Sequence, residues 1–400
     1  MPTKVLIASV LKPVDDVRSF ERFALSIHAN FEVFLVGAPS LAPLPKISNI
    51  HFLPYAFFPR RLVQRWRAAL VFQRYLWNVK PQIVIVQSPD LLPFAAIYAL
   101  LHNCQLIYDV QENYRFNIFH QGYYQGLVKY ILANAVRMVE IISSCCISRY
   151  WIAERSYADE LFFVKNKCDF VPNKYAPLHP TNQLPKNIPP IRLTPHRLRL
   201  IYTGTVSCAY GTHLAIDLAK KLHAAQAGIS LLVIGSCSDE KYRQELEKMV
   251  TDCPFIDWRV SPQPLNHQLI IKALANADLA LMPYLPNRST ERCMPTKLYE
   301  YMAFRLPFLM PANPLWESVA LPWRAGLVVN FQNIDTEKLL QQIVTTTFYD
   351  PPPPQWVWRF NRKQFRRLLL ECPSRLRQSK PLVNVAHLLL ECVHNNSLSV

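Results

Sequence analysis

The residues best suited to chemistry lie between Arg288 and Pro311, in the stretch RSTERCMPTKLYEYMAFRLPFLMP. This stretch predicts a polar loop, a helix opened by Pro295 and a buried strand, because proline suits the first helical turn. Lys297 and Glu300 lie three residues apart near the helix start, where free N–H groups attract anions. A nucleotide diphosphate would fit there, and the carboxylate would accept hydrogen bonds from a ribose diol. Spacing alone favours a surface ion pair instead.

A glycine-containing turn, TGTVSCAYG, follows an apolar run that predicts a strand over residues 198–203. The chain has only eight glycines, and two of them, Gly204 and Gly211, lie in this turn. Glycine lets the main chain approach a ligand closely and present N–H groups to phosphate. An ordinary tight turn explains the same residues, and both interpretations stay open.

Polar residues also follow two predicted strands in the first half of the chain. The segment DVQENY places Gln111 and Glu112 at a strand end, where they are candidates for contact with a sugar hydroxyl. The alternative is helix capping by Asp109, with Glu112 three residues on. Asp15 and Asp16 follow the first strand and have the same two interpretations, an acceptor contact or a helix cap.

Apolar runs of strand length alternate with helical patterns in both halves, which predicts an α/β protein with parallel sheets covered on both faces. Strands are predicted at 4–10, 31–37, 82–87, 105–109 and 141–147, then at 198–203, 230–235, 278–282 and 327–329. Helices are predicted at 16–29, 57–78, 213–225, 239–250, 265–274, 337–344 and 356–371. We therefore predict two Rossmann-like doubly wound domains, at 1–172 and 198–350, joined by a proline-rich hinge at 173–197. Residues 351–400 are expected to form a basic helix and tail that pack toward the first domain.

The formal net charge of +16 predicts an anionic partner. The segment from Arg60 to Asn78 mixes basic and aromatic residues at helical spacing, which is typical of contact with an anionic membrane surface. The alternative is a helix that packs on the sheet and exposes a solvated basic face. The basic tail predicts an extension of the same patch. We expect no nucleic-acid partner, because no recognised binding module accompanies the charge.

Cysteine usage and hydropathy predict the compartment. The ten cysteines form no C-x-x-C pair or regular framework, which is typical of a reduced, intracellular protein. We identify no signal peptide, and the longest apolar run, at residues 91–101, is too short to span a bilayer. We therefore expect a cytoplasmic protein that is soluble or peripheral on the inner face of the membrane.

Several chemistries are excluded by missing motifs. No glycine fingerprint follows the first strand, which argues against a NAD enzyme. The chain also lacks a P-loop, a nucleophile-elbow serine, a His-x-x-x-His pair and an Asp-x-Asp pair, so no metal site is predicted.

Four segments, in this order, resemble the GT-B glycosyltransferases: VLKPVDDVRSFERFALS, LIYDVQENY, LIYTGTVSCAYGTHLAI and MPTKLYEYMAFRLPFLMP. The likeness is greatest to the retaining, family-4-like enzymes (glycosyl transferases group 1) of polysaccharide and glycolipid assembly. It implies two domains that face a central cleft. It also implies a hexosyltransferase-type enzyme (EC 2.4) that moves sugar from a UDP- or GDP-sugar to a glycan or lipid-linked acceptor. Transfer would retain the anomeric configuration and need neither a metal nor any other cofactor.

The resemblance also assigns residues. It implies a ribose contact for Glu300 and a diphosphate contact for the glycine turn. The full donor-binding set is Gly204, Thr205, Tyr210, Arg288, Met294, Lys297, Leu298 and Glu300, with Gln111 and Glu112 as catalytic candidates and Asp15 and Asp16 on the acceptor side. The chain has Gln111 where relatives often have histidine, Arg292 in place of a second glutamate, and Ser207 and Tyr210 in place of two basic residues. A nucleotide-sugar epimerase and a non-catalytic binding or scaffold protein of the same fold remain alternatives.

Overall fold

The computed structural model describes residues 2–59, 62–120, 126–164, 166–178, 189–287 and 290–371. The chain divides into two compact units. The first contains Met1–Pro172 together with the segment that begins at Asn361, and the second contains Asn173–Phe360.

The first unit is built on a seven-stranded parallel sheet with the strand order β3-β2-β1-β4-β5-β6-β7. Its strands are β1 (Thr3–Pro13), β2 (Phe31–Ala38), β3 (Ile50–Pro54), β4 (Ile83–Val86), β5 (Gln105–Val110), β6 (Arg149–Ile152) and β7 (Cys168–Phe170). The direction of winding reverses between β1 and β4. In open α/β sheets such a reversal opens a crevice at the carboxyl ends of the strands.

The second unit repeats this plan with a six-stranded parallel sheet, in the order β10-β9-β8-β11-β12-β13. Its strands are β8 (Leu198–Thr205), β9 (Ile229–Ser236), β10 (Ile256–Ser261), β11 (Leu279–Leu281), β12 (Phe308–Met310) and β13 (Gly326–Val328). The winding reverses between β8 and β11. The predicted fold class, an α/β protein with two doubly wound domains, is confirmed.

Helices connect the strands of both sheets. They are α1 (Leu25–Ile27), which continues a π-helical segment at Val17–Ala24, α2 (Leu62–Val79), α3 (Leu92–His102), α4 (Tyr114–His120), α5 (Gly126–Ser143), α6 (Tyr157–Glu160), α7 (Thr212–Ala225), α8 (Glu240–Val250), α9 (His267–Leu274), α10 (Thr296–Ala303), α11 (Pro314–Ala320), α12 (Thr336–Thr345), α13 (Gln355–Trp358) and α14 (Arg362–Leu370). Short 3₁₀ turns occur at Pro89–Leu91, Phe162–Val164, Pro195–Arg197 and Leu321–Trp323. Because parallel crossovers are right-handed, α2, α3 and α5 share one face of the first sheet and α1 lies on the other.

The last described helix, α14, belongs to the core of the first unit. Its Phe365 stacks on Phe23, with ring centroids 4.4 Å apart, and meets Trp151 edge-on at 4.9 Å. The prediction of one helix over 356–371 is wrong. The chain breaks between α13 and α14, and Asn361 caps α14 by accepting a hydrogen bond from the backbone N–H of Gln364.

Some strand predictions were also wrong. The run at 141–147 is not a strand, because α5 continues to Ser143 and β6 begins only at Arg149. Ile141 lies on the buried side of the helix end, and Cys146 and Ile147 are buried in the turn that follows. A short apolar run does not distinguish these roles from a strand. The edge strands β3, β7 and β10 were not predicted, since half-exposed edges carry mixed apolar and polar residues.

Candidate functional site

The glycine turn of the second unit joins β8 to α7. Gly204 and Gly211 both adopt left-handed backbone angles, with φ of 90° and 66°. A Cβ on Gly211 would lie 1.8 Å from the carbonyl oxygen of Pro283, so only glycine fits there. Ser207 ties the turn to the first residue of α7, because the hydroxyl of Thr212 donates to its carbonyl oxygen over 3.4 Å. The backbone of the turn is therefore held in one conformation directly before a helix N-terminus.

Lys297 reaches this turn from the first turn of α10. Its Nζ donates a 2.7 Å hydrogen bond to the carbonyl oxygen of Thr203 and lies 4.8 Å and 5.0 Å from the ring centres of Tyr202 and Tyr284. A Cβ on Gly204 would lie 3.7 Å from the same Nζ. The ammonium group therefore lies directly against the main chain of the turn.

Burial changes the proton affinity of this lysine. Loss of solvent around the ammonium group lowers the pKa of Lys297 to about 7, and the charge of Glu300 opposes that shift only in part. Lys297 thus exists in both protonation states near neutral pH. An anion placed beside the turn would favour the charged state.

Glu300 lies one helical turn beyond Lys297 and is buried, with 7% of its surface exposed. Its Oε1 is 3.0 Å from Nε2 of His267, the first residue of α9. The alternative interpretation, a surface ion pair of Lys297 and Glu300, is therefore wrong, because Glu300 is not at the surface. A buried carboxylate held by a neighbouring imidazole is suited to accept hydrogen bonds from a polar ligand.

The other donor-side candidates occupy varied positions. Tyr210 stacks on Tyr284 with ring centroids 4.7 Å apart, and Thr205 is exposed. Met294 is buried at the start of α10, and the side chain of Leu298 is wholly inside the hydrophobic core. Arg288 lies outside the described residues. The structure therefore brings together the glycine turn, Tyr210, Lys297 and Glu300, while Leu298 packs away from them.

Buried polar groups meet at the carboxyl edge of the first sheet. Asp109 in β5 is completely buried and accepts two hydrogen bonds from the guanidinium of Arg18, at 2.8 and 2.6 Å. The amides of Gln87 and Gln111 donate to the same carboxylate, at 3.0 and 2.9 Å. The ammonium group of Lys12 in turn donates to Oε1 of Gln111. Gln111 is therefore fixed by two charged neighbours.

The helix-capping alternative holds for Asp16 but not for Asp109. Asp109 does not cap a helix, because it lies inside β5 and binds Arg18. Asp16 does cap the first helix and accepts from the backbone N–H groups of Arg18 and Ser19. Asp15 accepts a 2.7 Å hydrogen bond from the hydroxyl of Ser40.

Glu112 is exposed at the start of α4. Its Oε2 accepts a 2.6 Å hydrogen bond from the side-chain amide of Asn117. It therefore lies apart from the buried Asp109 cluster, and its catalytic role stays a prediction.

Sequence reasoning missed several residues of these clusters. His267 contacts Glu300 from 33 residues earlier in the chain, and Tyr284 lies beside Lys297. In the first unit, Lys12 contacts Gln111 and Arg18 contacts Asp109. No local sequence pattern indicates that His267 contacts Glu300.

Two further features bear on ligands. In the described ranges no three His, Cys, Asp or Glu side chains converge as a metal site would require. A cavity of about 820 Å³ lies over β8, β9 and β10 beside α9, lined by Trp258, Leu269 and Lys272 among others. It contains neither Lys297 nor Glu300, so it is separate from the candidate site.

One protein family and several solved structures are similar to this chain. Residues 197–346 match the family described as Glycosyl transferases group 1, whereas no curated protein sequence matches the chain. Similar structures include sucrose-phosphate synthase from Thermosynechococcus elongatus, with 13% identity, a TM-score of 0.60 and coverage of 99% of this chain and 100% of that one. The UDP-glucose complex of Anabaena Alr3699/HepE has 10% identity and a TM-score of 0.59, over 92% and 98% of the two chains.

The UDP-forming alpha,alpha-trehalose-phosphate synthase from Burkholderia vietnamiensis is also similar, with 11% identity and a TM-score of 0.53 over 100% of this chain and 99% of that chain. Identities this low show a shared fold. The resemblance to the GT-B glycosyltransferases is confirmed at the level of the fold, and the match to the glycosyl transferases group 1 family lies within the second unit.

Proposed function

We propose that the protein is a hexosyltransferase that moves a sugar from a nucleotide-sugar donor, a UDP- or GDP-sugar, to a glycan or lipid-linked acceptor. Transfer retains the anomeric configuration and uses no metal ion. The observation that carries the proposal is the placement of Lys297 against the Gly204 main chain, with the buried Glu300 one helical turn away. A cation beside a glycine turn suits a diphosphate. A carboxylate one helical turn from that cation suits a ribose diol. Solved structures of the same fold contain UDP and UDP-glucose, which supports a nucleotide donor.

The chemistry requires stabilisation of the leaving group. Negative charge grows on the diphosphate as its bond to the sugar breaks. The Lys297 ammonium and the positive end of the α7 helix dipole stabilise that charge, and electrostatic stabilisation of this kind usually dominates in such transfers. Because these groups already supply positive charge, we expect a chelator such as EDTA to leave the rate unchanged.

Binding and turnover are tested together. Saturation with the correct nucleotide sugar, at about 100 times its Kd, is expected to raise the Tm of the second unit by roughly 5–10 °C. A radiolabelled donor should then transfer its sugar to an acceptor. Isomerisation of the free donor without transfer would support the epimerase alternative, and binding without turnover would support the scaffold alternative. If no nucleotide or nucleotide sugar shifts the Tm, the donor site is wrong.

The pKa of Lys297 predicts how donor affinity changes with pH. Below about pH 7 the ammonium form is already present, whereas above it the free protein must take up a proton to bind the diphosphate. Because a bound diphosphate raises this pKa, we expect affinity to fall by up to about tenfold per pH unit above neutrality. Titration calorimetry with a UDP-sugar between pH 6 and 9 measures the slope.

Two variants test whether Lys297 causes the change of donor affinity with pH. Lys297→Met should bind the donor weakly and independently of pH. Lys248→Met removes an exposed lysine near the end of α8 and should keep the native slope. A flat profile in the native protein would contradict the role of Lys297.

A further inference from the structure

The outer surface of one helix layer in the first unit is rich in apolar side chains. α3 packs against both α2 and α5, so the three helices form a continuous layer over one face of the sheet. Of the 22 large apolar side chains that stand exposed in the described residues, 13 belong to these three helices. The outward side of a surface helix is normally polar. This concentration therefore indicates a surface that contacts something other than water.

Helix α2 carries one outward apolar stripe. Val63, Trp66, Leu70 and Trp77 recur at helical spacing and are all exposed, while Phe72 on the opposite side is fully buried. The helix thus has two apolar sides, of which the sheet covers only one. Its two tryptophans lie near opposite ends of the outward stripe, and indole side chains favour the boundary between water and lipid.

Helix α3 extends the stripe across the centre of the layer. Its sequence, LPFAAIYALLH, contains no Lys, Arg, Asp or Glu. Ile97, Leu100 and Leu101 point outward with more than half of their surface exposed, and Ala95 and Ala99 face the sheet. A helix that is apolar all round is normally covered on every side.

Helix α5 completes the surface. Leu127, Ile131, Met138 and Ile142 are exposed and fall on one side of the helix, since they follow one another by four, seven and four residues. Glu140 and Ile141 lie on the buried side. The apolar stripe of α5 therefore runs along almost its whole length.

The charges of this layer are nearly all positive. The helices contain five basic residues, Arg65, Arg67, Arg74, Lys129 and Arg137, against one carboxylate. That carboxylate, Glu140, is buried and lies 3.1 Å from Arg137. Arg67 and Arg74 are exposed beside the outward stripe of α2. The outer surface thus combines apolar side chains with cations.

We propose that the α2–α3–α5 surface binds an anionic lipid bilayer, with its apolar side chains at the boundary of headgroups and acyl chains. Arg67 and Arg74 would then contact lipid phosphates. None of the described helices has the length and apolar character needed to cross a membrane, and the proposal needs none. A symmetric contact between two copies would instead bring these cations face to face, which disfavours it. The proposal extends the α2 segment of the sequence prediction to three helices and is independent of the glycosyl transfer proposed above.

Vesicle flotation tests the surface. The full chain is expected to float with vesicles of equal parts phosphatidylglycerol and phosphatidylcholine, and to float poorly with phosphatidylcholine alone or at high salt. The double variant Leu101→Gln, Ile131→Gln should reduce flotation about tenfold. The matched control, Leu269→Gln, changes an exposed leucine on α9 and should float as the native chain does.

A charge variant separates electrostatics from apolar insertion. Arg67→Gln with Arg74→Gln should remove most of the preference for phosphatidylglycerol, also by about tenfold, and its Tm should stay native because both side chains are exposed. If the apolar variant fails to fold, the flotation of this charge variant tests the proposal instead. Failure of the native chain to float with anionic vesicles would overturn the proposal. So would a native dimer that becomes monomeric in the apolar variant while neither floats, because a second copy would then be the occupant.

Discussion

Replacement of Glu300 by alanine is expected to weaken the binding of a nucleotide sugar about a hundredfold. Two hydrogen bonds from a ribose diol to a carboxylate are together worth roughly 3 kcal/mol, and each 1.4 kcal/mol is a factor of ten. The effect should be close to this value because Glu300 is 7% exposed, so water replaces the lost contacts poorly. Titration calorimetry with UDP and with UDP-sugars measures the loss directly.

Two further variants make this result specific. Glu245→Ala removes an exposed glutamate of α8 in the same unit and should leave affinity unchanged. His267→Gln should cause a smaller loss than Glu300→Ala, because the imidazole positions the carboxylate and need not touch the ligand. Equal affinity of Glu300→Ala and Glu245→Ala, with native Tm values for both, would exclude the ribose role.

Replacement of Asp109 by alanine is expected to lower the free energy of unfolding of the first unit by about 3–5 kcal/mol. Arg18 and Asp109 are 2% and 0% exposed, and their charges neutralise each other inside the protein. Removal of the carboxylate leaves a buried guanidinium without its counter-charge and the amides of Gln87 and Gln111 without an acceptor. Urea unfolding followed by fluorescence reports the change as a lower midpoint.

A surface pair provides the matched comparison. Asp257 and Arg259 lie 2.5 Å apart, close to the 2.6 Å of the buried pair, but their side chains are 50% and 61% exposed. Asp257→Ala should therefore cost about 0–1 kcal/mol. The double replacement Arg18→Met with Asp109→Leu should recover part of the loss, because it removes both charges together. A loss from Asp109→Ala no larger than that from Asp257→Ala would show that the buried pair does not stabilise the unit.

The architecture was largely predictable because strands and helices of this chain differ in period. β1, β2, β8 and β9 are mostly apolar over a strand's length, and the sequence predicts each within a few residues of its observed bounds. The run at 141–147 failed for a physical reason: a buried helix end and a buried strand have the same composition when each is only a few residues long.

The candidate site was predictable only where its residues are close in sequence. The positions of Lys297 and Glu300 at a helix start follow from Pro295 and local spacing. Their partners do not, since His267 lies 33 residues before Glu300 and Thr203 lies 94 residues before Lys297. The same holds for Arg18 and Asp109, which are 91 residues apart. The order of the strands in each sheet brings these groups together, and local sequence patterns do not predict that order.

The return of α14 to the first unit has a consequence for the order of folding. Phe365 packs against both Phe23 and Trp151, and the guanidinium of Arg362 donates to the backbone carbonyl of Glu21. A chain that leaves the ribosome from its N-terminus presents these partners long before Phe365 exists. We therefore expect the first unit to keep an open patch in its core while residues 173–360 are synthesised. The second unit is continuous in sequence and can finish folding first, although it is made later.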